Sequence, residues 1–198
     1  MPKRVFDLLG AGLGLLLLWP LLLGIAAAIK LDSPGPVLFR QQRVGRHGVI
    51  FRIRKFRTMG ADAPQRGPAL TVGDDVRITR SGRWLRRTRL DELPQLLDVL
   101  AGHMSLVGPR PEVPEYVAHY PAALRAAALA VRPGITSLGA LEFLDEAQLL
   151  ASAADPEREY IERIVPRKAQ LAADYAAQAS LRGDLAVLGR TLYRLVAG

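Results

Sequence analysis

Residues 8–29, LLGAGLGLLLLWPLLLGIAAAI, carry no charged side chain. As one helix this run would extend roughly 33 Å, enough to reach across a bilayer's hydrocarbon core. It has no polar face, which disfavours a helix buried in a soluble core. Pro20 stands near its middle, where it removes a backbone donor and sets its ring against the carbonyl of Leu16. Lys3 and Arg4 precede the run, and Lys30, Arg40, Arg43 and Arg46 follow it. Basic residues mark the cytoplasmic side of a membrane segment, and here both flanks carry them. Two readings stay open. The segment enters the membrane, bends at Pro20 and returns by the same face, with its freed carbonyls partnered by protein or water. Alternatively it is a single-pass anchor with a tolerated kink. A cleaved signal peptide is disfavoured: the apolar core exceeds the roughly 7–15 residues of a signal sequence.

The 198 residues suffice for one domain behind that segment, which divides the chain into a membrane part, 1–31, and a membrane-associated domain, 32–198. A formal net charge of +8 favours an anionic partner: headgroups, nucleic acid or a phosphorylated small molecule. Next to a membrane segment, headgroups account for part of it, at roughly 1 kcal/mol per surface Lys or Arg. The chain has no cysteine, so disulfides are excluded, and His47, His103 and His119 lack metal-site spacing.

Asp32-Ser-Pro-Gly-Pro36 turns the chain. Val37–Phe39 and Val49–Phe56, with Gly45 and Gly48 between, predict a small β-hairpin. Neither face of the second run is cleanly apolar, so it presents cations to a partner, or else is a solvated edge. Residues 60–76 are a Gly/Pro/Ala/Asp-rich loop. In 80–89, RSGRWLRRTR, Arg80, Arg83 and Arg87 stand at helical spacing beside Trp84, a pattern for a membrane surface, a phosphate cradle or a wet face. Residues 88–100 predict a helix with two starts open, Thr88 as N-cap with Asp91 and Glu92 in the first turn, or a boundary nearer Asp91 because Pro94 is tolerated only near a helix start; capping alone would account for both carboxylates. Adjacent helical residues point about 100° apart, so this pair cannot form a face-to-face dyad. If the two react, their roles differ. Arg110, between Pro109 and Pro111, has a rigid mount suited to phosphate. Residues 122–131 form an Ala-rich helix, and Asp145–Ala153, Pro156–Tyr175 and Leu185–Val196 read as amphipathic helices.

Walker A, GxSxG and Rossmann motifs are absent from the sequence. What stands out is one acidic pair among arginines on rigid turns, tied to a membrane segment. That set suits a Mg²⁺-assisted phosphoryl-type transfer, with a carboxylate binding metal or attacking and arginines holding phosphate oxygens.

The motifs KFRTM (55–59), LDELPQL (90–96), MSLVGPRPE (104–112) and RPGIT (132–136), in this order behind an apolar N-terminus, strongly resemble the bacterial sugar transferase family, the monotopic phosphoglycosyl transferases, in minimal form. The resemblance runs from Lys3 to about Thr191. It implies transfer of a sugar-1-phosphate from a nucleoside diphosphate sugar, in particular a UDP-sugar, to polyprenol (undecaprenyl) phosphate, releasing UMP. It further implies that Asp91 is the nucleophile of a covalent aspartyl-phosphosugar intermediate and a Mg²⁺ ligand, with Glu92 assisting. Lys55, Arg86, Arg110 and Arg132 match basic positions of the family and become the candidate phosphate-binding residues. The family's N-terminal re-entrant helix breaks at Ser-Pro, which favours the bend at Pro20, although Trp19 here replaces the serine. Beyond RPGIT the chain has SLGALEF where GLAQVNG is more usual, in a region associated with substrate, so sugar identity is not carried over.

The expected fold is mostly α with a small β-hairpin: a re-entrant membrane helix broken at Pro20, interfacial amphipathic helices, and a catalytic domain on the cytoplasmic face of the inner membrane. The expected partners are the sugar nucleotide, polyprenol phosphate and membrane lipids, with no nucleic acid. The competing expectation is a non-catalytic basic protein that binds anionic lipid at the membrane surface.

Overall fold

The computed structural model describes residues 2–67, 70–73, 75–143 and 146–197, less the side chains of 64 and 195–197. The charge-free run forms one helix, α1 (Pro2–Asp32), which continues through Pro20. The expected break at Pro20 is therefore corrected. A proline inside a helix costs about 3 kcal/mol, and here both halves are held from outside. Asp7, Ala11, Ile25 and Ile29 form a buried stripe along the helix, and each buried isoleucine recovers about 1.5–3 kcal/mol. α1 passes closely over Leu106 at Gly10, where an added Cβ would lie 2.7 Å from the Leu106 Cδ1 and displace that side chain. The remaining circumference is open, with Leu9, Leu13, Leu16, Leu17, Trp19 and Leu23 exposed. Among the described residues α1 is the one helix long and apolar enough to cross a membrane.

Polar contacts fasten both ends of α1 to the rest of the chain. Near its start, Lys3 Nζ donates to the Val107 carbonyl (3.0 Å) and pairs with Asp184 (2.5 Å), and Arg4 Nη1 donates to the Val99 carbonyl (2.8 Å). Asp7 Oδ1 accepts from Ser105 Oγ (2.9 Å) and from the Leu106 amide (3.1 Å). Just past its last turn, the buried Arg57 donates to the carbonyls of Pro34 (2.6 Å) and Ser33 (2.8 Å), which fastens the chain leaving the helix.

The predicted hairpin is present as β1 (Leu38–Val44) and β2 (Ile50–Phe56), antiparallel with Leu38 opposite Phe56 and Val44 opposite Ile50. β1 runs further than its apolar residues suggested, because pairing with β2 recruits the polar stretch Arg40–Arg43. His47, at φ 57°, and Gly48, at φ 80°, make the turn. Phe51 and Ile53 of β2 face inward, and Lys55 follows on the same side.

α2 (Arg80–Arg87) starts at Thr79, whose hydroxyl accepts from the Gly82 amide. Thr88 therefore closes this helix and does not open the next, contrary to its expected role as N-cap. Arg89 then takes a left-handed conformation (φ 59°), and Leu90–Gln95 form a 3₁₀ turn leading into α3 (Leu96–Leu100). Pro94 has no N–H to give the Leu90 carbonyl, so the tighter turn replaces a regular α-helix here.

Next come β3 (Ser105–Val107), α4 (Pro114–Val117), α5 (Ala122–Ala128) and β4 (Gly134–Thr136), with β3 and β4 paired in parallel. α6 (Leu138–Glu142), α7 (Glu146–Ala151) and α8 (Pro156–Glu159) follow. The helix expected from Asp145 is found from Glu146, and Asp145 lies outside the described residues. A widened π turn at Tyr160–Ile164 joins α8 to α9 (Val165–Gln178), and α10 (Leu181–Ala197) closes the fold.

Four apolar clusters hold the described elements, the smallest of them Val107, Tyr175 and Val187, which seats α10. One packs Ile25 and Ile29 of α1 against Phe56 and Leu85; a second packs Ala11 against Phe51, Ile53, Leu96, Val99 and Met104. The third joins Tyr116 and Val117 to Leu150, Tyr160, Ile164 and Val165. α1 is thus part of the platform on which β2, α2 and the 3₁₀ turn are set.

Candidate active site

The platform brings Lys55, Arg86, Asp91, Glu92 and Arg110 to the wall of one open groove of about 2260 Å³, against the roughly 300–1,000 Å³ that a single small ligand occupies. Asp91 and Glu92 sit in the first turn of the 3₁₀ segment, both buried. Lys55 Nζ is 2.6 Å from Glu92 Oε1, and Arg110 holds both Glu92 oxygens, through Nη2 at 2.7 Å and Nη1 at 3.3 Å. Glu92 is therefore fully engaged. Among the described residues no hydrogen bond or ion pair takes up the Asp91 carboxylate. Arg86 Nε donates to Thr58 Oγ1 (2.9 Å) and Nη1 to Thr71 Oγ1 (3.3 Å), and among the described residues no carboxylate pairs with its charge.

Electrostatics separate the two acids. Burial pushes the Asp91 carboxyl up, and the positive charge of Lys55 opposes this without cancelling it. Burial also acts upward on Glu92, but Arg110 and Lys55 together outweigh it and hold that carboxyl well below the usual range. Arg110 is raised in turn, chiefly by Glu92. Burial lowers Lys55 and Arg86, against the pull of Glu92 on the first and Asp91 on the second.

Arg132 does not join this group. Its Nε donates to the Gly102 carbonyl (2.9 Å), just past α3 and outside the groove lining, so its conspicuous position before Pro133 serves the end of a helix.

The structure also adds residues that the sequence did not single out. Arg43 Nη1 donates to the Pro111 carbonyl (3.0 Å) and lies 3.8 Å from Glu112. Lys168 Nζ reaches Glu112 (3.0 Å), the Tyr160 oxygen (3.0 Å) and Glu146 (2.6 Å). With the Val44 amide donating to the Glu112 carbonyl (2.9 Å), these contacts clamp the turn that carries Arg110. One signal was available: Glu112 ends the GPRPE block, directly behind the rigid turn.

A magnesium ion fits this donor set in one way. Among the described residues, no three acidic or histidine side chains converge as metal ligands. Glu92 has no free oxygen, and Asp91 offers one open carboxylate. Mg²⁺ commonly takes one or two carboxylates and completes its shell with phosphate oxygens and water, so Asp91 suits it in company with a diphosphate.

An acidic pair with divided roles, cations on rigid mounts and an exposed apolar helix beneath them agree with a family assignment over the full length. The bacterial sugar transferase family matches residues 1–198, and the chain belongs to that family. The exopolysaccharide production protein PSS of Rhizobium leguminosarum bv. phaseoli is 46% identical over 157 residues, 72% of this chain and 74% of that protein. The UDP-glucose:undecaprenyl-phosphate glucose-1-phosphate transferase of Caulobacter vibrioides is 50% identical over 149 residues, 69% of this chain and 52% of that protein. The UDP-N-acetylgalactosamine-undecaprenyl-phosphate N-acetylgalactosaminephosphotransferase of Aeromonas hydrophila is 49% identical over 115 residues, 58% of this chain and 27% of its own length. The chain thus spans about half of the Caulobacter relative and about a quarter of the Aeromonas one.

Proposed function

We propose that the protein transfers a sugar-1-phosphate from a UDP-sugar to undecaprenyl phosphate with release of UMP, as the first membrane step of glycan assembly. The observation that carries this reading is the asymmetry of the acidic pair: Glu92 is saturated by Lys55 and Arg110, while the Asp91 carboxylate faces the groove uncommitted. The relatives' names supply the substrate class.

In the first step an Asp91 oxygen attacks the phosphorus that bears the sugar. A bond forms from that oxygen to phosphorus, the bridging P–O bond breaks, and UMP departs with the electron pair. In the second, a phosphate oxygen of undecaprenyl phosphate attacks the same phosphorus and the aspartyl–phosphorus bond breaks, restoring Asp91. A carboxylate can approach a diphosphate only where cations offset the mutual repulsion. Arg86, with no carboxylate of its own, faces the phosphate oxygens, and Lys55 and Arg110 add their charge from positions that Glu92 fixes. Mg²⁺, held by Asp91 and the diphosphate, would supply further charge neutralisation.

Both ends of α1 are tied to one body, so the helix does not carry the domain's two attachment points to opposite sides of a membrane. Its exposed Leu and Trp19 surface rests in the apolar layer, with the groove at the lipid surface where a polyprenol phosphate meets a soluble nucleotide. We place that groove on the cytoplasmic face of the inner membrane, on the basic flanks of the run.

The test incubates membranes containing the protein with a UDP-sugar panel, Mg²⁺ and undecaprenyl phosphate. One donor should release UMP, chelation should stop it, and Asp91→Asn should abolish it. UMP release by Asp91→Asn at the wild-type rate would refute the mechanism. Vesicle binding that falls with salt, with no UMP released from any donor, would leave only the lipid-binding reading.

A further inference from the structure

The segment SLGALEF (137–143) runs into the groove wall: Gly139, Ala140, Leu141 and Phe143 line it, and Glu146 follows at the start of α7. Within its charged cluster Glu146 is the partly open carboxylate, its side chain 28% exposed where that of Glu112 is 5%. Lys168 Nζ pins one of its oxygens, Oε2, at 2.6 Å. Among the described residues nothing takes up the other. Lys168 itself is nearly covered, at 8% exposure, and its contacts go to Glu112, Tyr160 and Glu146.

The charges of this cluster are already matched, Arg43 and Lys168 against Glu112 and Glu146. A cation is not needed there, and an anionic phosphate meets a carboxylate. The open oxygen accepts hydrogen bonds and donates none, so its complement is a neutral donor such as a hydroxyl. Glu146 and Arg110 line the same groove, so the carboxylate shares its wall with the candidate diphosphate seat. The groups joined directly to the diphosphate of a sugar nucleotide are both polyols, the transferred sugar on one side and the ribose on the other.

We infer that Glu146, held by Lys168, is a hydroxyl-binding subsite that reads a polyol attached to the diphosphate. This rests on the transferase reading for the nature of the ligand. The subsite shares its wall with Gly139, Ala140, Leu141 and Phe143, where a fixed acceptor selects among sugars or holds the ribose.

Equilibrium binding to the full-length, detergent-solubilised protein tests it without turnover, using UMP and the UDP-sugar that the transfer assay selects, or the tightest-binding one if none turns over. Glu146→Leu removes the acceptor, and Glu146→Gln keeps the shape and one acceptor while dropping the charge; thermal melting verifies that each variant is folded. Loss of one hydrogen bond to a charged group predicts UDP-sugar affinity weakened about 10- to 100-fold in Glu146→Leu and less in Glu146→Gln. UMP affinity unchanged assigns the subsite to the sugar; UMP affinity weakened in parallel assigns it to the ribose. Folded variants that bind both ligands as tightly as wild type overturn the inference and leave the transferase reading standing. A wild-type chain that binds no uridine nucleotide overturns both.

Discussion

Arg110→Met probes the fixed half of the acidic pair. It leaves Glu92 with Lys55 alone, at 2.6 Å, and empties the bidentate contact at 2.7 and 3.3 Å. Removing one partner of a buried ion pair costs about 3–5 kcal/mol. Because Lys55 remains and the Arg110 side chain is 28% exposed, about 2–3 kcal/mol of that applies here. For a chain of this size the loss lowers the melting temperature by about 4–12 °C. The pH dependence gives the sharper reading. Glu92 is held below its ordinary value, so its contribution is complete above the unfolded value of about 4.3 and is lost as pH falls through and below it. The gap between variant and wild type should therefore be full at neutral pH and close in acid. Melting curves in mild detergent across that range measure it, beside UMP release, which should fall in proportion to lost phosphate contact. Arg110→Lys should recover most of the stability and little of the activity, because an ammonium keeps the charge and loses the fork. A gap of equal size at every pH, or none, would refute the view that Arg110 acts through Glu92.

Three further outcomes are expected. Gly82→Ala places a Cβ 2.0 Å from the Thr58 carbonyl oxygen, forcing α2 to recoil by about 1 Å at a cost of about 1–3 kcal/mol; unfolding curves should show this, and UMP release should fall because Arg86 moves off Thr58. Asp7→Ala orphans the Leu106 amide and should cost about 1–3 kcal/mol, measured by denaturation in detergent. Burial pushes the Tyr116 hydroxyl up to about 12 and raises Tyr120, Tyr160 and Tyr175 as well. These phenols stay neutral in the fold, so their contribution is complete below the unfolded value of about 10 and is lost as pH climbs above it. A tyrosinate absorbance larger than the exposed Tyr193 alone can supply, rising gradually from pH 10 with no accompanying loss of fold, would contradict that.

Local chemistry explains which parts could be read in advance. The hairpin was visible from its glycines and β-branched residues, and Lys55 fell on the same side as Phe51 and Ile53 by simple alternation. Thr88 misled because two hydroxyl residues flank the basic helix and capping chemistry alone does not say which comes first; Gly82, which lets the turn after Thr79 pass close to Thr58, decides it. Pro20 misled for the opposite reason. Its local cost is real, but the buried stripe from Asp7 to Ile29 exists only once the distant domain is folded against it. Arg110 was legible from its prolines, whereas Arg132, on a similar turn, points to a carbonyl at the end of α3. The Arg43–Glu112–Lys168 clamp was hidden, since its members come from β1, a turn and α9 and meet only in three dimensions.

The bond between Lys3 and Asp184 spans 181 residues, and this has a consequence for the birth of the protein. A ribosome adding about 5–20 residues per second needs roughly 10–40 s to travel that distance. Through the whole interval the most apolar helix of the chain has been made while the carboxylate that fastens its first turn has not. The residues that pack Ala11, Ile25 and Ile29, from Phe51 to Met104, emerge earlier in that interval, so the bond from Asp184 closes the set only after α1 already has its apolar partners.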